Sequence, residues 1–327
     1  MVGKVDRVSI PNLHGWMPSR ILRNLAEPVV EWCHFGGRRF TEPFFDHTVQ
    51  QAMQVPFNLV FRQQTPLDAL VEWQAASPGL SPDGFIFHMS RCGSTLVSQM
   101  LAALPSHIAL SEAPPVDAIL RMDQRGASEQ QRIAWLRGFM SAAGQPRNGE
   151  SRLFVKLDAW HTFDLPLLRR AFPDTPWIFL HRNPVEVMVS ALKAPGAHLV
   201  PGLLGVEVPG IDPAAAVHMP QAEYCARVLA AVCSAGIQHL TTHGGRAVDY
   251  DELPSAVVSG IATHFGLKLA PSEIERMNAV TAFHAKSPSF YFEPDSAGKQ
   301  GEASAEVREL TARLLDPLYT KLKALTA

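Results

Sequence analysis

Residues 85–104 read F-I-F-H-M-S-R-C-G-S-T-L-V-S-Q-M-L-A-A-L. Around Gly93 this stretch gathers a guanidinium, Arg91, and two hydroxyls, Ser94 and Thr95, a set suited to holding a phosphate-like anion. Cys92 stands in the same loop. A thiol beside Arg91 at a helix N-terminus would be acidified, as a nucleophile needs, but no Cys-x5-Arg phosphatase loop surrounds it. A second set is Arg182 with Ser190, eight residues later, which on two turns of helix would bracket one anionic oxygen. A third is Lys156 with Glu112 and Asp158, a cation able to neutralise a leaving oxygen and carboxylates able to take a proton.

Each of these residues also has a plainer reading. Arg91–Thr95 would serve in any strand-to-helix turn, Lys156 as a lysine snorkelling from a strand end, and Glu112 as a solvated loop glutamate. The elements around them decide between the two. Phe85, Ile86, Phe87 and Met89 form a short apolar run, as in a strand covered on both faces. From Thr95 onward Leu96, Val97, Met100, Leu101 and Leu104 recur at helical spacing, and Pro105 stops the helix. The loop between them therefore ends at a helix N-terminus, which carries free N–H groups and a partial positive charge. Residues 108–110 form a short strand ending near Glu112, and in open α/β sheets ligands sit outside the carboxyl ends of strands. Residues 153–157 predict a second buried strand ending near Lys156, with Asp158 just beyond. Residues 177–181 predict a third, followed by Arg182-Asn183-Pro184 and a helix carrying Ser190.

The Walker pattern G-x-x-x-x-G-K-[ST] is absent, since the cation precedes the glycine and no lysine follows it. Arg91-Cys92-Gly93-Ser94-Thr95-Leu96 instead resembles the 5′-phosphosulfate loop of sulfotransferases, which use 3′-phosphoadenosine 5′-phosphosulfate (PAPS, product PAP). Cys92 stands where Ser is more usual. The strand-Arg-Asn-Pro-helix-Ser stretch at 177–190 resembles the family's 3′-phosphate site. The resemblance covers roughly residues 84–325. It implies that Arg91, Cys92, Gly93, Ser94 and Thr95 hold the 5′-phosphosulfate, and that Arg182 and Ser190 hold the 3′-phosphate. It implies too that Lys156 and Arg91 serve the transferring group without a metal. Glu112 resembles the glutamate base of the tyrosyl-protein and heparan-type branches. In the cytosolic small-molecule branch the base is a histidine two residues after the strand lysine; here that position is Asp158, the alternative base.

Composition bounds the rest. The chain has 327 residues, 46% apolar and 18% charged, with a net charge of −2. That is a globular composition with no global field for nucleic acid, so any anion site must be local. No apolar run is long enough for a membrane span, and the start, M-V-G-K-V-D-R, lacks the apolar core of a signal peptide. Cys33, Cys92, Cys225 and Cys233 have no C-x-x-C spacing, so neither zinc nor a redox pair is expected, and scattered thiols fit a cytoplasmic protein.

The expected architecture is α/β: a P-loop-type parallel sheet flanked by helices over residues 81–327, preceded by a helical N-terminal extension, residues 1–80. In that extension Ile21, Leu22, Leu25, Val29 and Val30 predict a helix over 19–33, residues 44–53 predict another, and Thr65-Pro66 predicts the start of a third. Residues 194–220 read as a long acceptor-capping loop and 283–301 as an irregular stretch carrying Lys286, Lys299 and Gln300. Family members often place a late basic loop over the 3′-phosphate, though this chain lacks the Arg-Lys-Gly version. Asp251-Glu252 is expected to cap the helix that follows, and residues 303–325 to form one closing helix. The expected activity is sulfuryl transfer from PAPS to a hydroxyl or amine of an acceptor the sequence does not name. The competing readings are a P-loop phosphotransferase and a non-catalytic nucleotide-binding protein. Oligomeric state stays open.

Overall fold

The computed structural model describes residues 11–203, 205, 207–291 and 295–326. The reading of M-V-G-K-V-D-R therefore lies outside the described residues. Five parallel strands form the central sheet: β4 (Gly84–His88), β5 (His107–Ser111), β6 (Arg152–Lys156), β7 (Trp177–His181) and β8 (Arg246–Asp249), in the order β5-β6-β4-β7-β8. Strands β4, β5 and β7 are buried along their whole length, which is why they read as continuous apolar runs without alternation. Phe85 pairs with Val155 on one side and Trp177 on the other, so β4 is the central strand.

Helices cover the sheet: α4 (Ser94–Ala102), α5 (Pro114–Leu120), α6 (Glu129–Ala143), α7 (Leu165–Ala171) and α8 (Pro184–Lys193), with a long helix Gln221–His243. Pro114, Pro184 and the capping box of Ser128 with Gln131 start their helices. Among the described residues no helix is long and apolar enough to cross a membrane.

The N-terminal region is not a helical extension. The predicted helix over 19–33 is instead two strands, β1 (Trp16–Leu22) and β2 (Val29–His34), paired antiparallel with Ile21 opposite Val30. Pro28 is the physical reason: within a helix it would remove one hydrogen bond and clash with the preceding turn. The β-branched Val29 and Val30 beside it favour a strand. A third strand, β3 (Gln63–Pro66), pairs with β2 and takes up the predicted Thr65-Pro66 helix start. Thr65 Oγ1 accepts from Trp32 Nε1 at 2.9 Å instead of capping, and Pro66 is tolerated because β3 is an edge strand. Helices α1 (Phe45–Met53), α2 (Pro56–Val60) and α3 (Ala69–Ala76) complete the region, α1 as predicted. Leu13, Met17, Val30 and Trp32 join the same apolar cluster as the central sheet.

Two further expectations change. Residues 283–301 are ordered where described, as a hairpin of Phe283–His284 with Ser287–Tyr291 and a helix Ser296–Glu302. The closing helix is two, Ala305–Leu314 and Asp316–Thr326, with Pro317 in the first turn of the second.

Candidate functional site

Every residue singled out as catalytic or anion-binding lies at or just beyond the carboxyl edge of the sheet. The loop 89–93 leaves β4 and ends at Gly93, the N-cap of α4, which no side chain caps. Its first N–H groups are thus left for a ligand. Gly93 has φ +85°, and a Cβ there would stand 2.7 Å from Leu253 Cδ1 and 3.0 Å from the Tyr250 ring, so glycine is strongly favoured. Among the described residues the non-glycine positions with positive φ are Ser90, Arg91 and Glu112, and all three belong to this edge. Such conformations persist where surrounding structure fixes them, and they cluster at functional sites.

One cavity of about 590 Å³ joins the two predicted anion loops. Arg91, Cys92, Gly93, Ser94 and Thr95 line it on one side, and Arg182 and Ser190 on the other. Lys286 and Lys299 add two more cations to its wall. Lys286 is pushed down to about 8 by desolvation at the wall and by the charges of Arg91 and Lys156. A cation depressed by neighbouring positive charge marks a place that an anion would stabilise.

Beside this cavity lies a buried ion pair. Lys156, 1% exposed, ends β6 and places Nζ 2.7 Å from Glu112 Oε1. The same Nζ donates to Thr95 Oγ1 at 3.2 Å, which ties the pair to the anion loop. Burial raises the Glu112 pKa, but the Lys156 ammonium and a contact with His88 outweigh it and hold the carboxyl well below the usual carboxylate range. Glu112 N donates to Lys156 O at 2.8 Å, fixing the chain as it leaves β5. His88, the last residue of β4, accepts from Ser90 N at Nδ1, 3.0 Å, so its proton sits on Nε2, which faces Glu112 Oε1 at 3.6 Å. Burial lowers the His88 pKa and keeps the ring neutral.

Asp158 takes a different environment. It caps the short turn Ala159–Asp164, and its carboxylate faces His161 Nδ1 at 3.8 Å. Burial pushes it up to about 7 against the pull of His161. His161 Nε2 in turn meets Asp117 Oδ1 at 3.0 Å, and Asp117 also accepts from Trp160 Nε1 at 2.8 Å and from Arg121. The carboxyl of Asp117 lies well below the usual range, since these donors outweigh burial.

Cys92 is not acidified. Its side chain is fully buried, Sγ donates to Leu180 O at 3.2 Å, and burial pushes the thiol up to about 12. Desolvation outweighs the helix terminus and Arg182, so the acidification a nucleophile needs is not provided here.

Arg182 is buried and heavily engaged. Nε donates to Glu186 Oε2 at 2.7 Å, Nη2 reaches Asp295 Oδ1 at 3.0 Å, and the guanidinium stacks 3.9 Å over the Tyr250 ring. Lys299 Nζ holds the other Asp295 oxygen at 2.6 Å. Asp249 and Glu252 cap the turn Tyr250–Glu252 that brings Tyr250 to the cavity, so Glu252 serves its own turn and not the helix that follows as expected, while Asp251 lines the cavity.

Sequence reasoning missed His88, Glu186, Tyr250 and Asp295. His88 and Tyr250 stand at the carboxyl ends of β4 and β8, and that position is the signal that could have found them. Asp295 carried no such signal, because only the chain's return over the sheet brings it to Arg182.

Fold and edge together define an α/β protein with an uncapped helix N-terminus at the end of the 89–93 loop, cations on both sides of one cavity and a Lys–Glu pair between strand ends. Residues 82–202 match the family model described as "Sulfotransferase family". A sulfotransferase from Alicyclobacillus acidocaldarius is similar in structure at 17% identity, with 76% of this chain and 96% of that chain covered and a TM-score of 0.44. The sulfotransferase domain from the curacin biosynthetic pathway is similar at 16% identity over 72% of this chain and 98% of its own, TM-score 0.43. A mouse sulfotransferase complexed with PAP is similar at 11% identity over 80% and 96%, TM-score 0.42. No curated protein matches the chain in sequence.

Proposed function

We propose that the protein is a sulfotransferase that uses PAPS and passes the sulfuryl group to an acceptor hydroxyl or amine. The observation that carries this reading is the joining of two anion loops by one cavity, with the Lys156–Glu112 pair touching the first loop through Thr95. The cavity suits a nucleotide with anions at both ends, and its volume lies in the ordinary ligand range. Residues 81–327 form the transferase domain in this reading, and 1–80 a structural addition to it.

Arg91, Ser94, Thr95 and the free N–H groups of α4 would hold the 5′-phosphosulfate. Arg182, Ser190 and Lys299 would hold the 3′-phosphate. The donor supplies an activated S–O bond. As the acceptor oxygen bonds to sulfur, that bond breaks and its electron pair stays on the 5′-phosphate oxygen. Lys156 would neutralise that charge. Glu112 takes the acceptor proton. In the resting site Lys156 holds Glu112 ionised and weakly basic. A leaving oxygen that draws the ammonium toward Thr95 releases the carboxylate and raises its basicity as the proton must move. Asp158 is the alternative base, and its raised pKa makes it the stronger one when ionised.

Calorimetry without magnesium tests the reading. PAP should bind at least tenfold more tightly than ADP. A preference for ADP that depends on magnesium would instead select a phosphotransferase, and absence of any nucleotide binding would leave a scaffolding protein.

A further inference from the structure

His88 and Glu112 meet without bonding. His88 is the last residue of β4 and is 5% exposed, and its Nε2 is buried with no hydrogen-bond partner among the described residues. A buried donor left unpaired is costly, so native proteins seldom keep one without a use for it. Its orientation is set locally. Ser90 has φ +82°, and this left-handed turn carries its N–H back to His88 Nδ1 at 3.0 Å. Nδ1 accepts, so the ring proton sits on Nε2. The turn that opens the 89–93 loop therefore also fixes which way His88 donates. The charged groups acting on His88 are Glu112, Lys156 and Lys286, and burial keeps the ring neutral.

That N–H faces Glu112 Oε1 at 3.6 Å, too far for a hydrogen bond. The same oxygen holds Lys156 Nζ at 2.7 Å. In the sheet order β5-β6-β4, Lys156 ends the middle strand, with Glu112 just beyond β5 on one side and His88 on the other. Two donors thus converge on one carboxylate oxygen, and only Lys156 is bonded to it. Among the described residues none donates to Oε2. Lys156 has a second partner toward the cavity, Thr95 Oγ1 at 3.2 Å. If the ammonium is drawn that way, Oε1 loses its bond. A movement of ~0.7 Å then brings Oε1 into normal range of His88 Nε2. The backbone can stay where it is, with Glu112 N on Lys156 O at 2.8 Å.

We propose that His88 is a positioning residue that takes over Glu112 Oε1 when Lys156 moves to the leaving oxygen, leaving Oε2 for the acceptor proton. Glu112 then stays bonded throughout the step. It also becomes the stronger base, because a neutral N–H stabilises a carboxylate less than an ammonium does. No proton leaves His88 in the exchange; the acceptor proton ends on Glu112. This inference rests on the sulfotransferase reading for the leaving oxygen, but the exchange of donors is tested without it.

The test removes the ammonium by substitution. Carbon-13 NMR of glutamate-labelled protein follows the Glu112 carboxyl, assigned by its loss in E112Q. In K156M, His88 should be the donor to Glu112. Adding H88N keeps an acceptor for Ser90 N but removes the N–H, and should raise Glu112 proton affinity at least tenfold. H88Q in the same background places an N–H near the lost one and should restore part of the difference, which a packing role would not do. Equal Glu112 titration in K156M and K156M/H88N would overturn the proposal. Nitrogen-15 NMR of the wild-type imidazoles needs no substitution to fold. His88 should be neutral with its proton on Nε2, and a charged ring or a proton on Nδ1 at neutral pH would overturn the proposal as well. Failure of wild type to bind PAP counts against the sulfotransferase reading and leaves both NMR outcomes as they are.

Discussion

Two ion pairs flank β4, and they differ in what holds them. On the β6 side Lys156 and Glu112 are 1% and 25% exposed, and both come from the ends of neighbouring strands. On the β7 side Arg182 is 6% exposed, but its partner Asp295 is 51% exposed and comes from a segment outside the sheet. Strand ends that share a ladder cannot move apart without breaking it, so the first pair has fixed geometry. The second pairs a fixed cation with a replaceable anion. A reaction centre needs the first kind of pair, because preorganised charge stabilises a transition state without reorganising. A binding site needs the second kind, because the ligand must take the place of the anion already there.

The largest effect is expected where the fixed pair is broken. Lys156→Ala leaves the part-buried Glu112 without its cation, and breaking a fully buried pair typically costs about 3–5 kcal/mol, an upper bound here. Urea unfolding measures this, and adding Glu112→Gln to the same chain should recover part of the loss. Turnover should fall more than donor binding, because the ammonium matters most as the leaving oxygen gains charge. A stability loss below about 1 kcal/mol would place this pair in the class of exposed ones and erase the contrast.

Glu112→Gln comes next. It keeps shape and removes basicity, so the rate should drop ~10²–10⁴-fold while nucleotide binding holds. A small drop in this variant with a large one in Asp158→Asn would transfer the base to Asp158. The pH dependence of stability supplies a second measurement. Glu112 is depressed in the folded state from an ordinary value of 4.5, so its contribution is full above that value and is lost as pH falls toward the folded pKa. Wild-type stability should therefore decline below about pH 4.5 more steeply than that of Glu112→Gln.

How much of this was legible in the sequence follows from the same contrast. The strand-borne residues were: apolar runs ending in Lys156, Arg182 and the 89–93 loop announce a parallel sheet, and such a sheet places its strand ends together. The capping box at Ser128 and the prolines of α5 and α8 were equally local signals. What stayed hidden was non-local. The 19–33 segment kept an apolar face that fits a helix, and only Pro28 with the β-branched Val29 and Val30 spoke against it. The pairing of Ile21 with Val30 needs the partner strand to be known. The acidity of Cys92 depended on burial, which no spacing shows.

On the replaceable side, Arg182→Ala should weaken binding of PAP at least tenfold and barely touch 5′-AMP, since a buried charge-assisted contact is worth ~1.5–3 kcal/mol. Calorimetry with the two nucleotides checks this. Equal losses for both would mean that the arginine supports the fold through Glu186 and Tyr250 and is not a 3′-phosphate ligand.

The smallest effect is the one that defines the comparison most sharply. Asp295 places one oxygen on Arg182 and the other on Lys299, and all three residues line the cavity proposed for the nucleotide. A carboxylate shared between two cations of an anion site stands where a phosphate oxygen would go. Removing it should cost the fold less than about 1 kcal/mol, because half-exposed ion pairs contribute little. Binding should move the other way. With Asp295→Ala the two cations no longer give up a partner when the 3′-phosphate arrives, so PAP should bind severalfold more tightly. The gain should be absent for 5′-AMP, which offers nothing to these cations. Added salt should narrow it, since screening weakens the exposed Lys299–Asp295 contact in the wild type as well. If Asp295→Ala instead weakens PAP binding, the aspartate holds Arg182 and Lys299 in place for the ligand, and this pair too belongs with the fixed geometry of the reaction centre.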